Sequence, residues 1–376
     1  MNIWVIGRSY PMEKNNRQGA FEYEQAKMLS QHGNQVAYLA CVFHPFKKVK
    51  KWGFCSWKED KLSVFTYSQF YTIERMKLHF EPFQKAVWNK FLKKVEDNTG
   101  TPDIIHVHYP ANITIASMIL DYQKKGTKIV CTEHWTQVLR KVIDNYEKKQ
   151  LKKYADHANA FLCVGKPLKD AVIELTGTKR ELYIVPNVVN SIFRIADHKH
   201  NGFRFIAVGV AFEHKQFDKI ISAFASVFGG KEGFYLTIVG DGPALKNLNK
   251  QVEKLKIGKQ VHLTGRLSHE ETAKKIKNSD VLVCYSKYET FGVPVIEAWA
   301  SGIPVIASTA TAAVEKWDDQ LGIEVSFDDL QALKNAMSSV YKNYSEYDKK
   351  ALSDFAKGHY SEDVICKKLI NIYSNA

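Results

Sequence analysis

Short apolar runs of five to seven residues alternate with amphipathic stretches from one end of the chain to the other. In the first half the runs are NIWVIG (2–7), QVAYLA (35–40), LSVFTY (62–67), DIIHVH (103–108), KIVCT (128–132), AFLCV (160–164) and LYIVP (182–186). In the second half they are FRFIAVG (203–209), FYLTIVG (234–240), VHLTG (261–265), VLVCY (281–285) and IPVIAS (303–308). Runs this short read as buried strands, and the stretches between them, such as AFEYEQAKMLSQHG (20–33) with its closing glycine, read as helices. Strands and helices in this order build right-handed parallel βαβ units, so the expected fold class is α/β with each half a doubly wound sheet. The periodicity lapses across VPNVVNSIFR (185–194) and DHKHNG (197–202) before the strand pattern restarts at Phe203. Two Rossmann-like domains are therefore expected, 1–187 and 188–357, facing across a cleft, with a C-terminal helix at 358–376 joining the first. In such sheets ligands bind beyond the carboxyl ends of the strands, so chemistry is expected there.

Length and composition agree with this division. The 376 residues suit two domains, and 45% hydrophobic with 25% charged residues is ordinary globular composition, which excludes disordered and fibrous classes. No apolar run approaches the roughly 20 residues that cross a bilayer, and the first residues lack a basic region followed by a signal core, so a cytoplasmic protein is expected. The six cysteines have no CxxC spacing and several lie in strand-like runs, which makes them reduced thiols. Charge is unevenly placed. Residues 1–187 hold 29 Lys and Arg against 18 Asp and Glu, a net +11, and the remainder holds 24 against 22, a net +2. The first half is thus the one expected to face an anionic partner.

The segment SKYETFGVPVIEAWASGIPVIAS (286–308) carries the most chemistry. It leaves a strand, passes Glu289 in a loop and enters a helix near Gly292 or Val293, with Pro294 tolerated in the first turn. A helix start beside a glycine offers free N–H groups and the positive end of the helix dipole to a phosphate. Glu289 and Glu297 are eight residues apart, about 12 Å along an axis if both were helical, which does not suit the 5–9.5 Å carboxylate pair of a glycosidase. Two acceptors at the two ends of an extended ligand fit the spacing; a glutamate near a helix start also serves as a simple cap.

ETFGVPVIEAWASGIPVIA resembles the E-x7-E signature of retaining nucleotide-sugar glycosyltransferases of the GT-B fold, family 4. The likeness extends to Gly19-Ala20-Phe21, DIIHVH, CTEHW, VPNVVNSIF, IAVGVAFEHKQFDKII, IVGDGP and HYSEDVICKKLINIY. The resemblance implies that Glu297 accepts hydrogen bonds from the donor ribose and that Glu289 contacts the transferred sugar. It implies that the N–H groups at Phe291, Gly292 and Val293 hold the diphosphate, and that Lys215 neutralises it as it leaves. Gly19 would let backbone approach the phosphates, His134 would lie under the sugar, and Gly240 and Gly242 would form a turn flanking the nucleotide. The implied reaction is transfer from a UDP- or GDP-sugar to a glycan or a polyprenyl- or lipid-linked acceptor in surface polysaccharide assembly. Configuration would be retained by front-face attack, with no obligatory metal and no resident cofactor.

The chain departs from the family pattern at three places. The arginine of the R-x4-K pair is Val210, the linker glycine is Val188, and the Gly-Gly before a later glutamate is Thr311-Ala312, ahead of Glu315. One charge-assisted contact of roughly 1.5–3 kcal/mol is lost at Val210 unless Arg266, Arg8 or Arg17 replaces it. Two rival functions remain on the sequence: a nucleotide-sugar 2-epimerase of the same fold, and a non-catalytic sugar-nucleotide-binding protein.

Other features are weighed against plainer roles. His106 and His108 share a strand face and, with Glu133 and His134, resemble metal ligands, but lining at strand ends accounts for them. Asp241 beside glycines is a turn residue. The segments HPFKKVKKWGFCSW (44–57) and MKLHFEPFQKAVWNKFLKKV (76–95) mix lysines with aromatic residues. That mixture suits the headgroup region of an anionic leaflet, so peripheral binding at the inner face of the membrane is expected rather than nucleic-acid binding.

Overall fold

A computed structural model of the chain describes residues 1–11, 19–44, 53–70, 81–113, 115–196, 200–314 and 317–376. The chain divides into two units, Met1–Pro186 together with Cys366–Ala376, and Asn187–Ile365. Among the described residues, the first unit contains β1 (Asn2–Gly7), β2 (Gln35–His44), β3 (Gly53–Glu59), β4 (Leu62–Phe70), β5 (Ile104–His108), β6 (Lys128–Glu133), β7 (Ala160–Cys163) and β8 (Tyr183–Ile184). They form one sheet in the order β3-β4-β2-β1-β5-β6-β7-β8. From β4 to β8 every pairing is parallel. β1 and β5 are buried almost throughout because helices cover both faces, which is why their sequences are apolar rather than alternating.

The second unit contains β9 (Phe203–Val208), β10 (Phe234–Val239), β11 (Val261–Leu263), β12 (Val281–Cys284), β13 (Val305–Ser308) and β14 (Gly322–Val325). Their order is β11-β10-β9-β12-β13-β14, all parallel. Phe205, Phe224, Phe228, Leu236, Leu333 and Met337 join one continuous core between this sheet and the helices Phe217–Phe228 and Leu330–Lys342. Each sheet reverses strand order beside its first strand, at β1/β5 and β9/β12. Those are the topological switch points where doubly wound sheets bind ligands.

The structure corrects the sequence reading in four places. β3 pairs antiparallel with β4, with Phe54 opposite Tyr67 and Trp57 opposite Val64. The strand was missed because it lies on the sheet edge inside a basic run, where only one neighbour supports it. The tail of the second sheet holds the additional strand β14, GIEV, whose four residues are interrupted by Glu324 and too few to stand out. Residues 358–365 belong to the second unit rather than the first, because the helix Lys349–Tyr360 is built onto that unit. There Tyr360 donates its hydroxyl to the Ala313 carbonyl at 2.6 Å and Ser353 donates to the Ala300 carbonyl at 2.9 Å.

The fourth correction concerns the aromatic residues read as membrane contacts. Trp88, Phe91, Leu92 and Val95 form the buried face of the helix Glu81–Thr99. Phe54 packs on Phe65 and Phe91 at ring separations of 6.0 and 6.1 Å. Trp88 and Phe91 thus belong to the core of the first unit and the half-buried Phe54 packs against it, whereas Phe83 is 41% exposed. Lys47, Lys48, Lys50 and Lys51 lie outside the described residues, as do residues 76–80. No helix among the described residues is long and apolar enough to cross a membrane.

Candidate active site

In the second unit the loop after β9 and the loop after β12 meet at one ion pair. Lys215 Nζ lies 2.5 Å from Glu289 Oε2, and both side chains are largely buried. Burial alone would lower the Lys215 pKa, but the adjacent Glu289 carboxylate outweighs it and the ammonium is held above its ordinary range. Lys215 therefore stays charged. Its stem runs across Gly209, where a Cβ would come within 3.3 Å of Lys215 Cε. Glu289 in turn lies beside Gly292, its Cγ 3.6 Å from where a Gly292 Cβ would stand.

Gly292 starts the helix Val293–Ala300. It has φ 103°, a left-handed value that an L side chain rarely tolerates, and a Cβ there would also press to 3.1 Å from Thr311 Cγ2. No side chain caps this helix start, so its first N–H groups and the positive end of its dipole are directed away from the helix beside Glu289. Phe291 is buried and its carbonyl accepts from Ala312 N–H at 3.1 Å, which fixes the turn. Glu297, one turn further on, is 7% exposed and its Oε1 lies 3.2 Å from His269 Nε2. His269 opens the helix His269–Lys277, whose start is fixed by a capping box of Ser268 and Glu271.

Gly240 and Gly242 pack the IVGDGP turn onto the loop that carries Lys215. Ala211 N–H donates to the Asp241 carbonyl at 3.0 Å and Ala244 N–H donates to the Ala211 carbonyl at 2.9 Å. A Cβ on Gly240 would fall 1.7 Å from the Gly209 carbonyl oxygen. Asp241 accepts from Gly242 N–H at 2.8 Å, as expected of a turn residue. Val210 is 48% exposed at the position of the family's arginine. Of the three candidate replacements, Arg266 lies in the loop after Gly265, Arg8 is engaged within the first unit, and Arg17 falls outside the described residues.

The first unit gathers the remaining candidates beyond its own strand ends. Gly19 precedes the helix Ala20–Gln31, and the Tyr38 hydroxyl lies 3.4 Å from its carbonyl and 2.6 Å from that of Ser9. His134 follows β6, with its Nε2 2.9 Å from His108 Nδ1 and its ring stacked on Tyr109 at 4.9 Å. His106 is hydrogen-bonded to Tyr373 and to Thr132, each at 2.7 Å, and burial drives its pKa down to about 3, so it is a neutral structural residue. Glu133 is buried. Burial pushes its pKa up to about 7 against the opposing N–H bonds from Trp135, His134 and Ala111. A pocket of about 310 Å³ opens among Arg8, Phe43, Gln84, Trp88, Asn112 and Trp135.

The structure thus brings Lys215, Glu289 and the Phe291–Val293 turn together, with Glu297 on the helix beyond them and Gly240 and Gly242 supporting the lysine loop. Gly19 and His134 belong to the other unit. Sequence reading missed His269, and it named Arg8 only as a possible phosphate contact, whereas the structure pairs Arg8 with Glu22 inside the first unit. The capping signature SHEE was legible in the sequence, but it carries no hint that the first helical side chain reaches Glu297. The model of glycosyl transferases group 1 matches residues 189–357, and that of glycosyltransferase family 4 matches residues 21–191. The alpha-monoglucosyldiacylglycerol synthase of Streptococcus pneumoniae is 38% identical over 93 residues, 25% of this chain and 21% of that protein. The lipopolysaccharide core biosynthesis glycosyltransferase LpsE of Rhizobium meliloti is 25% identical over 201 residues, 51% of this chain and 56% of that protein. The crystal structure of Anabaena Alr3699/HepE in complex with UDP and glucose shares the fold, with a TM-score of 0.75 at 15% identity over 100% of both chains. The chain belongs to glycosyltransferase family 4 and has the GT-B fold. It spans about a fifth of the first of these curated relatives and a little over half of the second.

Proposed function

We propose that the protein transfers a sugar from a UDP- or GDP-sugar to a glycan or lipid-linked acceptor, with retention of anomeric configuration and without a resident cofactor or an obligatory metal. The observation that carries this reading is the Lys215–Glu289 pair beside the uncapped start of the helix Val293–Ala300. A nucleoside diphosphate gains negative charge as the glycosidic bond breaks. A buried ammonium and a helix start stabilise that charge more in the transition state than in the ground state. In this reading Glu289 hands its lysine partner over to the diphosphate and accepts a sugar hydroxyl, while Glu297, steadied by His269, accepts the ribose hydroxyls. The departing phosphate takes the acceptor's proton as the new bond forms, so no protein carboxylate need act as nucleophile.

The complex of the Anabaena neighbour with UDP and glucose supports a UDP-sugar as the first donor to try. The names of the two curated relatives, one a diacylglycerol glycoside synthase and one a lipopolysaccharide core enzyme, support a lipid or surface-glycan acceptor and hence peripheral work at the cytoplasmic membrane face. The test is calorimetric titration of UDP and GDP, then assay of nucleotide release from the matching sugar donors. Lys215→Ala and Glu297→Ala are each expected to reduce nucleotide affinity or turnover at least tenfold. Wild-type behaviour in both variants would falsify the assignment.

A further inference from the structure

The first unit has a cavity of its own, at its own switch point. Its walls come from the ends of parallel strands and the loops beyond them: Arg8 after β1, Phe43 late in β2, Asn112 after β5 and Trp135 after β6. Gln84 and Trp88 of the helix Glu81–Thr99 close one side. A volume of about 310 Å³ lies at the lower end of small-molecule pockets, a size for one compact unit rather than a long chain. Phe43 and Trp135 offer flat apolar surface of the kind that packs on the C–H face of a pyranose, with the buried Trp88 behind them, and two carboxamides offer donors and acceptors for hydroxyls.

Arg8 gives this pocket a sign. Its Nε donates to Glu22 Oε1 at 3.0 Å, and its guanidinium carbon stands 3.3 Å above the centre of the Tyr109 ring. Glu22 is fully buried on the helix behind it, and that bond uses one of the five guanidinium donors. Burial works against the charge on Arg8, but Tyr109 and Glu22 outweigh it and the group is held charged. Arg8 is fixed on two sides by the fold, and it is the one charged side chain among the described residues that line the pocket. The surrounding half of the sequence carries a net +11, which raises the local concentration of anions.

We infer that this pocket receives an acidic sugar residue of the acceptor, a uronate or a sugar phosphate, with Arg8 taking the acid group and the half-buried Phe43 and Trp135 taking the ring. The inference rests on the transferase reading for the word acceptor, but its binding test does not. The full-length protein is titrated with methyl β-D-glucuronide, glucose 6-phosphate and neutral methyl β-D-glucoside, each monitored by ligand-observed NMR, and separately with UDP. At least one acidic probe is expected to bind ten times or more tightly than the neutral one. Preference for the uronate alone or the phosphate alone would identify which acid is recognised. In Arg8→Gln that preference should vanish while UDP affinity stays within twofold. Because Arg8→Gln leaves the buried Glu22 without its partner, the double variant Arg8→Gln/Glu22→Gln is measured beside it. Equal binding of acidic and neutral probes, absence of binding by all three, or an acid preference that survives both variants overturns the inference. A loss of UDP affinity matching the loss of acid binding overturns it too, since Arg8 would then serve the donor. If UDP fails to bind the wild-type protein while the acid preference holds, the donor reading fails and the pocket stands.

Discussion

Glu297 shows how one side chain is prepared by another that is distant in sequence. A carboxylate on a helix can turn to several partners, and the contact with His269 Nε2 at 3.2 Å commits Oε1 and leaves Oε2 as the other accepting oxygen. His269 is itself constrained, with its ring against Phe193 at 5.0 Å and its backbone at a capped helix start. His269→Ala should therefore raise the dissociation constant for UDP about tenfold, the equivalent of one hydrogen bond to a charged group. His269→Gln, whose amide nitrogen reaches the position of Nε2, should stay within about threefold of wild type. Titration calorimetry decides the matter, and unchanged affinity in the alanine variant would show that Glu297 needs no such support. The glutamate was legible from its motif, whereas the histidine was not, because a helix register and a sheet position together bring residues 28 apart into contact.

At the scale of elements, the lysine-bearing loop after β9 is shaped by the turn after β10. Gly240 N–H donates to the Gly265 carbonyl at 2.9 Å while the Gly209 carbonyl stands where a Cβ would be, so three loops meet with no room for a side chain. Gly240→Ala should cost about 2–4 kcal/mol, since backbone rather than a flexible side chain must shift. Gly258→Ala, where nothing stands within 4 Å, should change stability by less than about 0.5 kcal/mol. Urea unfolding of both variants checks this, and a Gly240 variant as stable as its Gly258 control would show that the loops separate at little cost. Alternating runs in the sequence located β9 and β10 well because each is flanked on both sides by other strands and is mostly apolar along its length. β3 escaped because an edge strand needs only one good face, and its residues GFCSWKE spread their apolar side chains thinly within a lysine-rich stretch.

At the scale of the whole molecule, the chain crosses to a second unit at Asn187 and its last residues return to the first. Tyr373, near the C-terminus, is buried there, hydrogen-bonded to His106 at 2.7 Å, and Lys128 donates to its carbonyl at 3.1 Å. Tyr373→Ala removes a large buried ring and leaves a buried imidazole nitrogen without its partner. It should destabilise the first unit by about 3–5 kcal/mol. Nucleotide affinity, assigned to the second unit by the proposed function, should stay within twofold. Denaturant unfolding monitored by tryptophan fluorescence, with a parallel UDP titration, tests both halves of that expectation. Unaltered stability would mean that the C-terminal segment merely rests on the first unit.

The sequence by itself determined the class of fold and the motif of the proposed donor site. Both are written in contiguous residues: the spacing of apolar runs sets strand and helix, and a glycine, a proline and two glutamates at fixed offsets set a helix start with an acceptor on each side. The tertiary structure alone decided which side chains meet across that frame. Lys215 with Glu289, Glu297 with His269, Arg8 with Glu22 and Tyr109, and Tyr373 with His106 are all pairings of residues far apart in the chain. Sheet order and helix packing fix such distances, and local periodicity carries no record of either. The same reason explains the aromatic residues of the basic segments. Beside lysines in the sequence they read as a surface, but the pairing of β3 with β4 and the buried face of the helix Glu81–Thr99 turned Phe54, Trp88 and Phe91 inward, while Phe83 stays exposed.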